Sequence, residues 1–434
     1  MTSQLKSGSV VLVVAVAATM AACGGGSGPA AVAAPPVASL ALGLSDTFVG
    51  VLAGDGTGIW SGDGGGTGSG DADGGGGAGD GEFVKVKINF PSTAAPTGTV
   101  KWTVLRSQYG ITDSTGTMSI QKDATAVGGY KVTAVNGVAS GVRPTQSNFF
   151  VSASGQFSGS LPLPIGVGGS IKDSLFNGVR FADAKSSVTD MSEYAGTYVT
   201  TMLDANVGTG AGADVGAAFL KLNANGTARV CNARNEGTRY SDTCAGGLDM
   251  VVSFDDPANR NLLRLIAAPT QSIPLPAGSS TTLNMLAVVR KFGAEGVSMT
   301  ADYVIGGVGI NSRTGAMYGA RMGSSPLNIS QLVGAWSSTS RNVQGFGSGY
   351  NQVGIKFVNG VLKVAGSTST GCDAQFATLT AGPLNGMTTA TGSGGAMYLI
   401  ALDADLAVSF RPGYELGLLR RYSVDPAVAP CQPL

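Results

Sequence analysis

From Phe83 onward the chain is written in short runs that alternate apolar and polar residues and are broken by Gly, Asn and Pro. Phe83-Val84-Lys85-Val86-Lys87-Ile88, Thr99-Val100-Lys101-Trp102-Thr103-Val104 and Tyr130-Lys131-Val132-Thr133 are examples. Such period-2 alternation places successive side chains on opposite faces of a β-strand. No stretch carries the 3.6-residue periodicity of an amphipathic helix three turns long. The expected fold class is therefore all-β: tandem small antiparallel β-barrel or β-sandwich modules after a disordered Gly-rich linker.

The first residues have a different pattern. One basic residue, Lys6, precedes the apolar run Val10 to Ala18, too short to span a bilayer as a helix. A weakly basic start, a short apolar core and small residues at its end are the marks of an export signal. The end, Met20-Ala21-Ala22-Cys23-Gly24, resembles the bacterial lipobox. That resemblance implies a signal peptide over 1–22, cleavage before Cys23, diacylglycerol and fatty-acyl (palmitate-type) attachment there, and membrane anchoring through lipid. Gly24 after the cysteine resembles sorting to the outer membrane, on its periplasmic side or at the cell surface. The whole chain is similar to uncharacterised Gly-rich lipoproteins of proteobacteria.

Removing the signal takes one Lys, leaving 26 basic against 27 acidic side chains. A chain without basic excess is a poor nucleic-acid partner. It contains no His, which removes His-activated Ser or Cys nucleophiles, His bases and His-ligated metals. No catalytic, cofactor or metal residue is proposed on the sequence. Hydrolysis by paired carboxylates stays chemically possible. Yet Asp255-Asp256-Pro257 and Asp403-Ala404-Asp405 both read as turns between strands.

Residues 23–82 read as a lipid-anchored N-terminus and a Gly/Asp-rich flexible linker, within which Leu40 to Leu52 carries enough apolar residues to be partly ordered. Asp71, Asp73, Gly76 and Glu82 match some positions of a calcium loop, but Gly75 stands where an oxygen ligand is wanted. After the linker come an N-terminal β-module at 83–187, a β-module at 188–325 and a related one at 326–434. The last two open with similar sequences, Asp190 to Thr201 and Asn328 to Thr339. Each then has a hairpin signal, Leu220-Lys221-Leu222 before Asn225-Gly226 and Ile355-Lys356-Phe357 before Asn359-Gly360. Val135-Asn136-Gly137-Val138 in the first module is too little to make it a third copy.

Setting Cys23 aside leaves Cys231, Cys244, Cys372 and Cys431, an even set that reads as two disulfides. Cys231–Cys244 and Cys372–Cys431 are expected, one within each repeat, out of three connectivities that four cysteines allow.

Both repeats start with Gly-x-aromatic, Gly196-Thr197-Tyr198 and Gly334-Ala335-Trp336. The second resembles the Gly-x-Trp at the first strand of lipocalins and their calycin relatives, up-and-down barrels that bind apolar ligands or proteins. The resemblance implies that an Arg near the module's end, Arg420 or Arg421, lies across Trp336, with Tyr198 and Arg321 as the counterpart. In an open sandwich both Arg420 and Arg421 face solvent instead. The expected function is that of a non-enzymatic envelope lipoprotein binding a protein, a glycan or a small apolar ligand. A passive structural coat and a carboxylate-dependent hydrolase are the alternatives.

Overall fold

Alternation and turn chemistry resolve into three closed eight-stranded antiparallel barrels along the chain. The computed structural model describes residues 45–53, 82–106, 115–122, 129–135, 148–151, 155–163, 172–180, 190–206, 214–232, 247–256, 259–267, 283–292, 296–305, 313–322, 329, 332–342, 351–364, 374–382, 386–413 and 415–423. Barrel 1 comprises β1 (Ser45–Ala53), β2 (Glu82–Asn89), β3 (Thr97–Arg106), β4 (Thr115–Lys122), β5 (Gly129–Val135), β6 (Asn148–Val151), β7 (Gln156–Leu163) and β8 (Lys172–Arg180). Barrel 2 comprises β9 (Gly196–Asn206), β10 (Asp214–Leu222), β11 (Thr227–Asn232), β12 (Leu248–Asp256), β13 (Asn259–Ala267), β14 (Leu283–Phe292), β15 (Gly296–Ile305) and β16 (Arg313–Arg321). Barrel 3 comprises β17 (Gly334–Asn342), β18 (Asn351–Val358), β19 (Val361–Val364), β20 (Ala374–Ala381), β21 (Met387–Gly392), β22 (Gly395–Asp403), β23 (Leu406–Arg411) and β24 (Glu415–Ser423). Each first strand pairs with both the second and the last of its own barrel, so no open edge is left. Of the two architectures left open by the sequence, the barrel is the one formed.

The first barrel corrects the expected boundary at 83. Ser45–Ala53 is its first strand, hydrogen-bonded to β2 on one side and β8 on the other. Gly/Asp-rich residues 54–81 therefore connect two neighbouring strands of a barrel and do not separate it from the tether. The strand escaped a period-2 reading because Phe48, Val49 and Val51 are all fully buried, on both faces of the sheet. Cys23, the rest of the tether and the calcium-loop match up to position 81 lie outside the described residues.

Alternate residues fill each barrel's lumen. Phe48, Trp102, Phe149, Phe157 and Phe176 pack inside barrel 1, with Phe149 and Phe157 stacked at 4.5 Å between centroids. Tyr194, Tyr198, Leu220 and five methionines are among the residues inside barrel 2. Trp336, Phe357, Leu379 and Leu399 sit inside barrel 3.

A fourth apolar cluster belongs to no single barrel. Val49 and Phe83 of barrel 1, Val199, Phe219 and Leu286 of barrel 2, and Val408 and Leu418 of barrel 3 point outward and meet in one buried core. This explains why Leu406–Phe410 of β23 is buried at five consecutive positions. Leu406, Val408 and Phe410 enter the shared core, while Ala407 faces the lumen. Residues 34–434 form one compact unit accordingly.

Polar ties reinforce the junction. Val100, Trp102 and Val104 point into barrel 1, and strict alternation would send Arg106 after them. A register shift leaves Leu105 as an extra residue, so that Arg106 stands opposite outward-facing Phe83. From there the Arg106 guanidinium donates to both carboxylate oxygens of Asp302 on β15, by Nε at 2.8 Å, and to Asn284 Oδ1 at 2.9 Å. Asn177 Nδ2 donates to Thr300 Oγ1 at 2.8 Å, and Arg290 pairs with Asp403 at 3.1 Å, linking barrels 1 to 2 and 2 to 3.

Candidate binding surface

Barrel closure brings together the residues singled out in the sequence. On β17 and β24, Trp336 is directly opposite Arg421, whose guanidinium carbon lies 5.3 Å from the indole centroid. Trp336 is fully buried and its Nε1 donates to Leu332 O at 2.8 Å. Arg421 donates to Val333 O, Ala404 O and Asp405 Oδ1. Burial pushes the Asp405 carboxyl up, against the opposing pull of Arg421. Arg420, one residue earlier and so on the outer face, lies over Phe150 of barrel 1 at 3.8 Å.

Barrel 2 has the same arrangement with different side chains. Tyr198 is opposite Arg321, and its hydroxyl donates to Tyr194 O at 2.6 Å, four residues back, as Trp336 does. Arg321 donates to Glu193 O and Ala195 O. Gly196 adopts φ +147°, in a region L side chains rarely enter, and a Cβ there would come within 2.6 Å of the Arg321 Cδ. Gly334 repeats the angle at +144°.

Barrel 1 supplies a third version that the sequence reading missed. Phe48 is opposite Arg180, and Arg180 donates to Asp46 Oδ1 from Nε at 2.9 Å and Nη2 at 2.6 Å. Asp46-Thr47-Phe48 beside Gly196-Thr197-Tyr198 was the available signal. Lacking the glycine and lying before the Gly-rich stretch, it did not stand out. These closed eight-stranded barrels are consistent with calycin-like modules.

The aromatic side chains that seal the barrels lie in their lumens, and the outer wall of barrel 2 carries a cleft of its own. On barrel 2, a cleft of about 400 Å³ opens where β10, β11 and β12 run side by side. Its lining includes Lys221, Asn223, Thr227, Arg229, Asp249 and Val251. The hairpin turn shapes one end: Asn223 N donates to Thr227 O, Gly226 N to Asn223 O, and Gly226 alone takes a positive φ, +80°. By contrast, Asn359 and Gly360 are both left-handed, a two-residue turn of type I′ geometry. Arg229 stands opposite both Lys221 and Asp249, and its Nη1 is 2.6 Å from Asp249 Oδ1. Next to this ion pair, Val251 and Ile266 face each other across β12 and β13, 53% and 42% exposed. A second ion pair, Arg264 with Asp255, borders them. Sequence reasoning passed over this wall because its strands read as ordinary core runs. An apolar residue at an outward parity, as in Val251-Val252, was the only clue.

Cys231 is buried on β11 at the edge of the shared core and is disulfide-bonded. Cys244, Cys372 and Cys431 lie outside the described residues, and their pairing stays the expectation given above.

No family model matches the chain, and no curated protein matches its sequence. Among solved structures it is similar to a DUF3598-family protein of unknown function from Nostoc punctiforme, at 11% identity over 54% of this chain and 97% of that one, with a TM-score of 0.18. It is also similar to a double mutant of the vaccine antigen transferrin-binding protein B from Haemophilus parasuis, at 9% identity over 90% of this chain and 78% of that one, with a TM-score of 0.19. Scores this low transfer nothing to this chain, and its barrels rest on their own strand registers.

Proposed function

We propose that the chain is a non-enzymatic binding lipoprotein, anchored to the outer membrane through Cys23, that holds its partner on the outer wall of barrel 2. The observation that carries this reading is the Val251–Ile266 pair, half exposed beside a charged cleft on the wall of a closed barrel. Exposed apolar residues rimmed by charged pairs are the composition of a protein-recognition patch. Immobilised chain lacking the signal should capture an envelope component from detergent extract. Val251→Glu with Ile266→Glu should abolish that capture while leaving the far-ultraviolet spectrum unchanged. Equal capture by both proteins would remove barrel 2's wall from the reading.

A further inference from the structure

Charge is sorted unevenly over the outer walls. On barrel 2, cations and carboxylates are interspersed, as in Arg229 with Asp249 and Arg264 with Asp255. On barrel 1, the outward positions of β2 to β5 carry Lys85, Lys87, Lys101 and Lys131 between threonine, serine and amide side chains. Among the described residues, those outward positions hold no Asp or Glu. The chain as a whole has 27 Lys and Arg against 27 Asp and Glu, so the wall is a local excess of one sign. Lys87, Lys101 and Lys131 are exposed and Lys85 is half-buried. Leu105 continues the outward series of Lys101 and Thr103 along β3 and is 39% exposed, an apolar side chain beside the lysines.

The position of this wall is as telling as its charge. Barrel 1 meets the other two barrels chiefly through β1, β7 and β8. In the closed order of its strands, β3 and β4 lie across from β7 and β8. The lysine wall is thus on the side of barrel 1 turned away from barrels 2 and 3, where a broad surface can approach it. Barrel 1 is also the first barrel after the proposed anchor. Cys23 precedes Ser45 by 22 residues, at most about 75 Å of chain even when fully extended. Tethering of this kind raises the local concentration of barrel 1 at the membrane, so that a weak contact suffices to dock it. An anionic phospholipid surface offers diffuse negative charge to several lysines at once. It also accepts an exposed leucine at the headgroup boundary while lysine stems lie along it.

We propose that the β2–β5 wall of barrel 1 is a docking face for an anionic phospholipid surface, laid against the membrane to which Cys23 ties the chain. The proposal rests on the anchored reading above, and its test is made without the lipid. The chain lacking the signal and carrying Cys23→Ser is co-sedimented with vesicles of equimolar phosphatidylcholine and phosphatidylglycerol, and with phosphatidylcholine alone. The mixed vesicles should retain it, less so as salt is raised, and phosphatidylcholine should not. Lys85→Gln, Lys87→Gln and Lys101→Gln combined should weaken retention by at least about tenfold. Lys291→Gln, Lys356→Gln and Lys363→Gln combined remove the same charge from barrels 2 and 3 and should change retention by about twofold or less. Both triple variants should keep the parent far-ultraviolet spectrum. Equal loss in the two would trace binding to net charge and overturn the proposal. So would equal retention by phosphatidylcholine, or tighter binding to soluble polyphosphate than to the mixed vesicles. Absence of retention, with capture through Val251 and Ile266 intact, would overturn the docking face while leaving the protein-binding reading standing.

Discussion

Asp302→Asn tests whether the junction between barrels 1 and 2 is electrostatically costly. Asp302 is fully buried, and burial pushes its pKa up to about 6 from the usual 3.8, while Arg106 and the Leu286 amide pull the other way. Arg264 adds a weaker favourable charge, and Asn284 shares the Arg106 guanidinium. Between those two pH values the folded chain binds more protons than the unfolded one, so stability falls as pH rises. The contribution is fully present below about pH 4 and lost as pH passes through 6, the reverse of an ordinary salt-bridged carboxylate. A shift of about two units corresponds to roughly 3 kcal/mol across that window. Urea unfolding measured at half-unit steps from pH 4 to 7 should show this decline in the parent and a flatter curve in Asp302→Asn. Arg106→Ala removes the main opposing group, so its decline should extend above pH 6. It should also lose about 3–5 kcal/mol near neutrality, where it leaves a buried carboxylate alone. Parallel pH curves for the parent and Asp302→Asn would refute the assignment of this slope to Asp302.

A chain begun at Glu82 lacks β1 and so loses Phe48, Val49 and Val51, a burial of roughly 5 kcal/mol or more. Hydrogen exchange should show β2 and β8 deprotected in it, against strong protection in a chain begun at residue 34. Gly196→Ala should cost at least ~2 kcal/mol through its φ and its contact with Arg321, read as a drop in Tm. Cys23→Ser should shift the exported protein from the detergent to the aqueous phase, and a wild-type N-terminus mapped to another residue would exclude lipidation there.

The β class and the hairpins at Asn225-Gly226 and Asn359-Gly360 were legible because turn chemistry and period-2 alternation are local properties. The pairing of Trp336 with Arg421 was legible only through resemblance, since the two residues meet across the seam of a closed barrel. What stayed hidden depends on contacts between residues far apart in the sequence. A strand buried on both faces has no alternation to read, and β1 and β23 owe their second buried face to another barrel. Leu105 hid the Arg106–Asp302 tie in the same way: a bulge reverses parity, and nothing in Val104-Leu105-Arg106 announces it.

The shared core also orders events in time. Each barrel is a succession of hairpins between sequence neighbours and can close early, with only its first and last strands meeting over a long separation. Once barrel 1 has closed, Val49, Val51, Phe83 and Val179 still lie bare on its outer wall until β14 to β16 have been made and folded. Barrel 2 in turn waits for β22 and β23, and the part of barrel 1 around β7 waits for β24. A nascent chain thus passes through sealed but sticky intermediates, in which the hazard is an uncovered wall and not an unpaired edge. Misassembly should accordingly take the form of barrels from two chains docking wall to wall, and slowing the emergence of barrel 3 should increase it.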